Sequence, residues 1–354
     1  MASLTQSSIV ARKIIRYGVY AVIFIIIARF TFKTAVSIYL KLFPPSPPEP
    51  TVGFGKLAKI PFPLKEVPTN ISYKLEIPEG KLPEIPEQAK VYFMPPISAE
   101  INVEDQARAR ADKLGFKREG KMVVENIPNV WVFPKSGEPS NLTMNIITGI
   151  FSISYDLNAN PQAISGIAPT PESAISKANS ILSAADILAN DIKNGTSTHE
   201  YLRIEAGNFI HAISQSEAQA IRVNLFRKSY ADKIPNVTPE FPKESNVWFI
   251  FTKTKTIAAE YHYYPIDEKK VETYPLKTAE VAWEELKSNK GFITNLGDNK
   301  DSVTVRKVYL AYYDAGQYTE FYQPVIVFEG DNEFAGVVPA VTDEYYGAEA
   351  KEVK

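Results

Sequence analysis

The sequence predicts an α+β protein in which an N-terminal transmembrane helix precedes repeated units of a helix packed on an antiparallel sheet. Three observations favour this class: one long apolar run near the start of the chain, three later segments with helix-capping residues, and strand-like segments between them. The chain has 354 residues and no cysteine. This composition excludes disulfides, thiolate nucleophiles and cysteine-based metal sites.

The first predicted element is a transmembrane helix at residues 14–43, which follows a cytoplasmic tail at residues 1–13. Its charge-free core, Tyr17–Ala28, is shorter than the about 20 apolar residues that a spanning helix needs. Continuation of the helix to Tyr39 supplies the missing length, because a rise of about 1.5 Å per residue extends it to roughly 33 Å. Aromatic residues near both ends match the belts of a membrane interface.

Two basic residues, Arg29 and Lys33, interrupt the apolar segment, and they share one helix face because they are four residues apart. One interpretation is an intramembrane contact with an acidic group of a partner helix. The alternative is that both long side chains extend to the membrane interface. Their charges also disfavour a cleavable signal peptide, because the region around a cleavage site at Ala35–Ser37 should be uncharged. We therefore expect an uncleaved anchor.

The distribution of charge bears on location and partners. The first 50 residues carry six basic residues and one acidic residue, a net charge of +5, and the whole chain has −2, so residues 51–354 carry −7. The counts of lysine and arginine do not fix the orientation, but the short acid-free start favours a cytoplasmic N terminus and an extracytoplasmic C-terminal domain. The acidic body argues against a nucleic-acid partner, because phosphate binding needs clustered lysine and arginine.

The rest of the chain is predicted to form four regions. Residues 44–68 are a proline-rich spacer, in which Pro44–Pro50 is expected to be extended polyproline II. Residues 69–240 are a first α+β repeat region and residues 241–340 a second. Residues 341–354 are predicted to be a flexible tail.

Three helices are predicted in the two repeat regions from their capping residues. The first runs from about Val103 to Leu114, with Asn102 as its N-cap. The second opens at Thr170 and continues to Leu188, with a proline at its first helical position. The third opens at Thr278, and it is expected to place four side chains inward: Val281, Ala282, Trp283 and Leu286.

Strand-like segments carry two further signals. Val303–Tyr313 and Phe321–Phe328 are predicted to form a hairpin through a turn at Asp314–Gln317. A tryptophan-bearing segment, Asn129–Phe133, recurs as Asn246–Ile250 at a spacing of 246 − 129 = 117 residues. A strand, a loop, a Thr-capped helix and a return strand follow each copy, which favours an internal duplication. The alternative is that two unrelated sheets share a tryptophan strand.

The region Thr278–Gly336, a helix followed by an antiparallel hairpin with the aromatic strand Tyr322–Phe328, resembles the PepSY-like domain family. Its layout is similar to that of membrane-anchored bacterial ectodomains that regulate sensor kinases. The anchor, the proline-rich spacer and Val52–Leu57 also resemble the N-terminal segments of membrane proteins from candidate-phyla bacteria. The resemblance implies repeated PepSY-like units and a binding or inhibitory function. It carries over no catalytic residue.

Residues with catalytic or metal-binding chemistry are sparse. His262 lies in the aromatic segment Tyr261–Tyr264, where a metal or acid–base function is one interpretation and a strand-surface histidine beside aromatic partners is the favoured one. Lys135–Gly137 matches part of a penicillin-binding motif, but the chain has no Ser-x-x-Lys element, so we interpret it as a hairpin turn. We predict no catalytic residue, no metal ligand and no cofactor.

Tyrosines cluster in the C-terminal half of the chain. If exposed, they offer apolar rings with polar tips that stack on sugars or grip a peptide. The alternative is cross-strand pairing and core filling. The candidate binding patch consists of Tyr261, Tyr263, Tyr312, Tyr318 and Tyr322.

These observations predict a single-pass membrane protein of the bacterial cell envelope with an extracytoplasmic, non-enzymatic domain. Its expected function is to bind and regulate an envelope protein, a peptide or a glycan. One alternative is a structural component of an envelope complex that docks through Arg29 and Lys33 or an open sheet edge. A further alternative is an envelope hydrolase whose acidic residues are inconspicuous in the sequence.

Overall fold

The computed structural model describes residues 4–42, 48–65, 68, 71–78, 80–98, 101–123, 127, 129–205, 207–231, 234–299 and 301–348. It contains two compact units, residues 1–49 and residues 50–354, and each is described by itself. The predicted polyproline segment lies largely outside the described residues, since Pro44–Pro47 are not among them.

The first unit is one helix, α1 (Leu4–Leu42), so most of the predicted N-terminal tail is already helical. Its apolar part, Ile15–Tyr39, has 25 residues and is long and apolar enough to cross a membrane. The hydroxyl of Thr31 donates to the carbonyl oxygens of Ile27 and Ala28, and that of Thr34 donates to Phe30. These polar side chains therefore satisfy their hydrogen bonds within the helix, as an apolar surrounding requires.

The predicted helices of the second unit are present, and two of the three predicted caps form. Thr170 and Thr278 accept hydrogen bonds from the backbone N–H groups three residues ahead, whereas Asn102 makes no side-chain cap. Val281 was expected to face inward but is 48% exposed, because the buried face of its helix is made by Ala279, Ala282, Trp283 and Leu286. The helices are α2 (Val103–Lys113), α3 (Pro171–Ala184), α4 (Asn190–Lys193) and α5 (Ala279–Lys287).

Helix α3 ends four residues before the predicted Leu188. Asp186 takes a left-handed conformation with φ of 57°, and the N–H of Ile187 donates back to the carbonyl of Leu182. This is the geometry that commonly stops a helix, with aspartate in the place that glycine usually holds. The chain beyond it is therefore free to form a loop over the sheet.

The predicted α+β class is confirmed, and most strand pairs are antiparallel. The strands are β1 (Leu57–Ala58), β2 (Ser72–Leu75), β3 (Gln88–Phe93), β4 (Lys121–Met122), β5 (Val130–Pro134), β6 (Ser140–Asn145), β7 (Phe151–Tyr155), β8 (Ser197–Glu205), β9 (Asn208–His211), β10 (Ala220–Leu225), β11 (Asn236–Val237), β12 (Val247–Thr252), β13 (Thr256–Tyr261), β14 (Asp267–Pro275), β15 (Phe292–Asn295), β16 (Ser302–Tyr313), β17 (Phe321–Tyr322), β18 (Pro324–Gly330), β19 (Ala335–Pro339) and β20 (Tyr346–Ala348).

The large sheet has the order β4-β5-β6-β7-β13-β12-β10-β8-β9. Helices α2 and α3 cover one face, where Phe249 and Phe251 are buried, and Ile250 is buried on the opposite face. Both tryptophan strands, β5 and β12, lie in this one sheet. The boundary predicted at residue 241 is therefore corrected, because strands from both sides of it share one hydrogen-bonded sheet and one core.

The C-terminal sheet has the order β11-β16-β18-β19-β15, with β2 also paired to β16. The predicted hairpin is present as β16 and β18, whose central residues pair from Val308↔Phe328 to Tyr312↔Pro324. Helix α5 packs on this sheet through Trp283 and Leu286. A smaller sheet, β14-β3-β17, also belongs to this second unit, residues 50–354, which we call the body.

The two predicted extended ends belong to the folded body. Strand β1, inside the predicted spacer, pairs in parallel with β20, inside the predicted tail. Leu57, Ile60 and Val341 are buried. Both predictions are corrected for these residues, because the apolar side chains near each end pack into the core. Residues 349–354 lie outside the described part of the chain.

Candidate functional site

The predicted tyrosine patch is not an exposed surface. Tyr261, Tyr312 and Tyr322 are buried, and Tyr263 and Tyr318 are half-buried. The rings of Tyr312 and Tyr322 stack with their centroids 5.1 Å apart. The prediction of a stacking platform for a ligand is therefore corrected, since these rings fill the core by cross-strand pairing.

Beside these tyrosines lies a buried ionic cluster centred on Arg227. The guanidinium donates from Nε to Asp314 Oδ2 at 2.7 Å and from Nη1 to Asp191 Oδ2 at 2.6 Å. Its Nη2 donates to the carbonyl oxygen of Tyr264 at 2.7 Å. Burial opposes the charge of Arg227, but the two carboxylates outweigh it and raise its pKa. Arg227 therefore stays a cation within a closed set of acceptors.

Two phenols complete the coordination of Asp191. Tyr230 donates to its Oδ2 at 3.1 Å, and Tyr263 donates to its Oδ1 at 3.0 Å. Burial, together with the charge of Asp191, raises the pKa of both phenols. The guanidinium carbon of Arg227 also lies 4.3 Å from the ring centre of Tyr263.

The ionic cluster joins parts of the fold that are distant in the chain. Asp191 lies in α4, Arg227 follows β10 of the large sheet, and Asp314 follows β16 of the C-terminal sheet. Each of its two carboxylates is paired with the guanidinium of Arg227, which is typical of a structural cluster. None of these three residues is distinguished by a local motif, so sequence reasoning missed them.

An open cleft of about 280 Å³ lies next to this cluster. Its lining includes residues from four parts of the fold. Among them are Arg110 from α2, Thr148 from the β6–β7 turn, Asp186 and Ile187 after α3, Tyr261 at the end of β13, and Tyr263 just after that strand. Tyr261 donates its hydroxyl to the carbonyl of Ile187 at 2.8 Å, which holds the loop after α3 against the sheet.

Arg110 is half-buried at this cleft, and its guanidinium has no hydrogen bond or ion pair with any residue that the structure describes. A Cβ added to Gly149 would lie 1.8 Å from its Nη1 atom. Gly149 has a φ of 72°, so both its backbone conformation and the missing side chain allow the guanidinium to lie against the turn. The fold thus places beside Tyr261 a cation that has no partner within the described ranges.

His262 lies between two acceptors and is half-buried. Its Nε2 is 2.9 Å from Glu260 Oε2, and its Nδ1 is 3.2 Å from the carbonyl oxygen of Gly316. The bond to Glu260 raises the pKa of His262, burial opposes this rise, and the carbonyl of Gly316 adds to it. Both nitrogens are engaged, so the ring bridges β13 and the loop after β16. Within the described ranges, no three histidine or acidic side chains are grouped to hold a metal.

Arg29 and Lys33, the predicted intramembrane pair, are exposed on α1. Neither side chain has a hydrogen-bond or ion-pair partner among the described residues, in contrast to Arg16, whose Nε donates to Tyr20. The structure thus leaves the pair available on the helix surface.

Comparison with known proteins gives distant similarity to solved structures. A scan against protein-family models finds no match, and a sequence search of curated proteins finds none. YycH from Bacillus subtilis has a TM-score of 0.35 at 10% identity, over 76% of this chain and 56% of YycH. The C-terminal domain of YpeB from Bacillus megaterium has a TM-score of 0.34 at 12% identity, over 70% of this chain and 95% of that domain.

An uncharacterized protein from Eubacterium rectale has a TM-score of 0.32 at 13% identity, over 76% of this chain and 86% of its own. Similarities at this level carry no argument about function. The resemblance to the PepSY-like family, and with it the internal repeat, stays a prediction.

Proposed function

We propose that this chain is a single-pass membrane protein of the bacterial envelope, whose extracytoplasmic body binds and regulates another envelope component. The observation that carries the proposal is α1. Its apolar part covers 25 residues, and no described part of that span is buried. A helix with such a surface needs an apolar surrounding, because leaving its side chains in water costs roughly 25 cal/mol per Å².

The body offers a means of binding in the cleft beside Tyr261. Arg110 has hydrogen-bond donors without acceptors in the described structure, and the wall of the cleft is partly apolar. Burial of Tyr312 and Tyr322 removes the platform on which a glycan would stack. Of the partners that the sequence suggested, a protein or a peptide is therefore the best supported.

Binding without catalysis is the function that the geometry supports best. The carboxylates of Asp191 and Asp314 are held by Arg227, and both ring nitrogens of His262 are engaged. General acid–base chemistry needs a group that can exchange a proton with a substrate. These groups are committed to contacts within the fold instead.

The absence of cysteine makes the topology directly testable. A single cysteine at Ser216, which is exposed in the body, is expected to react with a membrane-impermeant maleimide on intact cells. The matched variant Ser7→Cys is expected to react only after the membrane is permeabilised. The measurement is maleimide labelling of the membrane fraction, before and after permeabilisation.

Two outcomes would contradict the proposal. Recovery of the full-length chain in the soluble fraction after lysis would exclude the anchor. Labelling of Ser7→Cys on intact cells, with Ser216→Cys protected, would reverse the orientation and place the body in the cytoplasm.

A second candidate function is a structural subunit of an envelope complex, and it is favoured by the exposed pair on α1. The double variant Arg29→Leu/Lys33→Leu is expected to lose co-purifying proteins in mild detergent, because an acidic residue on a partner helix would lose its counter-charge. The double variant Arg12→Leu/Lys13→Leu is the matched control, since it removes the same charge outside the apolar span. Equal recovery of partners by both variants would exclude an intramembrane contact.

A further inference from the structure

We propose that the cleft beside Tyr261 binds the C-terminal carboxylate of a partner polypeptide, with Arg110 as the anion receptor and the apolar wall as the subsite for the terminal side chain. This inference deepens the proposed function by naming the group that the partner presents, and it rests on that function. The cleft itself is tested without the partner.

The position of Arg110 is the first argument. Its guanidinium is half-buried, lies against Gly149 and has no acceptor in the described part of the chain. Arginine presents planar pairs of N–H donors that match a carboxylate. The neighbouring Arg108 shows the usual arrangement, because it pairs with Glu104 and lies 4.8 Å from the ring centre of Trp131.

The charge balance of the cleft is the second argument. Asp186 is the acidic side chain on its rim, and its Oδ2 is held in an ion pair by Lys113. Asp191, which accepts from Tyr263, shares Arg227 with Asp314, so this cluster of one arginine and two aspartates has a net charge of −1. Among the described residues, Arg110 is the cation that lines the cleft without a carboxylate partner, and the acidic cluster nearby disfavours a doubly charged phosphate more than a singly charged carboxylate.

The wall and the size of the cleft are the third argument. Ile187, Leu188 and Pro265 place apolar surface within the same volume of about 280 Å³ as Arg110. The hydroxyl of Thr148 accepts from the N–H of Ile150 at 3.3 Å, so its own hydrogen is available to a ligand oxygen. Clefts for drug-sized ligands are mostly larger than about 300 Å³. This one fits a single terminal residue.

An acidic side chain within a polypeptide meets these requirements less well. Aspartate and glutamate place their carboxylate at the end of a short stem and bring no apolar group beside it. A C-terminal apolar residue carries a carboxylate and an apolar side chain on the same α-carbon. The carboxylate then reaches Arg110 while the side chain contacts Ile187 and Leu188.

The test uses N-trifluoroacetyl-leucine as the probe and the full-length protein in nanodiscs of uncharged lipid. Fluorine NMR line broadening is expected to give a dissociation constant on the order of 1 mM, as for a ligand of this few atoms. N-trifluoroacetyl-leucinamide, which lacks the charge, and the variant Arg110→Gln are each expected to weaken binding by about 10- to 100-fold. Arg108→Gln, on the same helix, is expected to bind as the wild type does.

Three results would overturn the inference: equal binding of the acid and the amide, unchanged binding to Arg110→Gln, or displacement of the probe by an equal concentration of inorganic phosphate. The last result would identify a phosphate site. Thermal unfolding of Arg110→Gln is expected to match the wild type, which separates loss of the site from loss of the fold. Failure here with correct cysteine labelling would reject the cleft and leave the anchored topology standing.

Discussion

Arg227 and Arg110 both lie near Tyr263, yet their surroundings are opposite. Arg227 is buried and donates to two carboxylates and a carbonyl. Arg110 is half-buried and has no acceptor among the described residues. Tyr263 contacts both environments, because its ring lies over Arg227 and its side chain also lines the cleft.

The comparison separates a charge that holds the fold from one that is available to a ligand. Removing a buried arginine leaves the acids that it neutralises as buried, unpaired charges. Removing an arginine that has no acidic partner leaves no such charge behind. Satisfied buried charges are therefore structural candidates, and unsatisfied charges at a cleft are binding candidates. Mutation of Arg227 should therefore lower the stability of the fold, whereas mutation of Arg110 should weaken ligand binding and leave the stability nearly unchanged.

The largest expected effect is on Arg227. Arg227→Met should lower the free energy of unfolding by about 3–5 kcal/mol, because Asp191 and Asp314 would be left as buried and unpaired charges. Arg110→Gln should change it by less than about 0.5 kcal/mol. The measurement is urea unfolding in micelles, followed by the fluorescence of the three tryptophans, all of which lie in the body.

Arg306→Met is the matched control for this prediction. Arg306 also pairs with two acids, Asp331 and Glu76, but it lies at the surface. Its loss should be far less destabilising than that of Arg227, because water replaces the ion pairs of an exposed arginine. A similar cost for both variants would contradict the assignment of a special structural function to the buried cluster.

The elements that sequence reasoning recovered are those set by local chemistry. Thr170 and Thr278 cap helices because their hydroxyls reach backbone N–H groups three residues ahead. The pairing of β16 with β18 follows from two β-rich segments that are close together in the chain. Neither feature depends on distant parts of the chain.

The ionic cluster and the burial of the tyrosines depend on distant contacts. Arg227 is 36 residues from Asp191 and 87 from Asp314, so no spacing rule connects them. Alternation along β16 assigns its tyrosines to opposite faces, but its last four residues, Leu310–Tyr313, are all buried. Both faces of β16 are covered at this end of the strand. The sequence of one strand does not show which other elements pack against its two faces.

The smallest expected effect is on the pH dependence of stability, and it concerns His262. This pH dependence should affect the region of the ionic cluster and not ligand binding at the cleft. The contact of His262 with Gly316 holds the loop that begins at Asp314, the partner of Arg227. The pKa of His262 is raised above its ordinary value of 6.5 by Glu260, so the folded state binds the proton more tightly than the unfolded state. Its stabilisation is therefore complete below about pH 6.5 and is lost as the pH rises through the folded-state pKa.

Urea unfolding between about pH 5.5 and pH 8.5 checks this sign, because proton binding by His262 differs between the folded and unfolded states mainly between its two pKa values. The wild type should lose more stability across that range than His262→Gln, in which the amide can still hydrogen-bond but does not titrate. Binding of the probe at Arg110 should not follow the same titration, since neither Glu260 nor His262 lines the cleft. A wild-type stability that rises with pH relative to the variant would show that the folded state favours the neutral ring, which would contradict the assigned effect of Glu260 on His262.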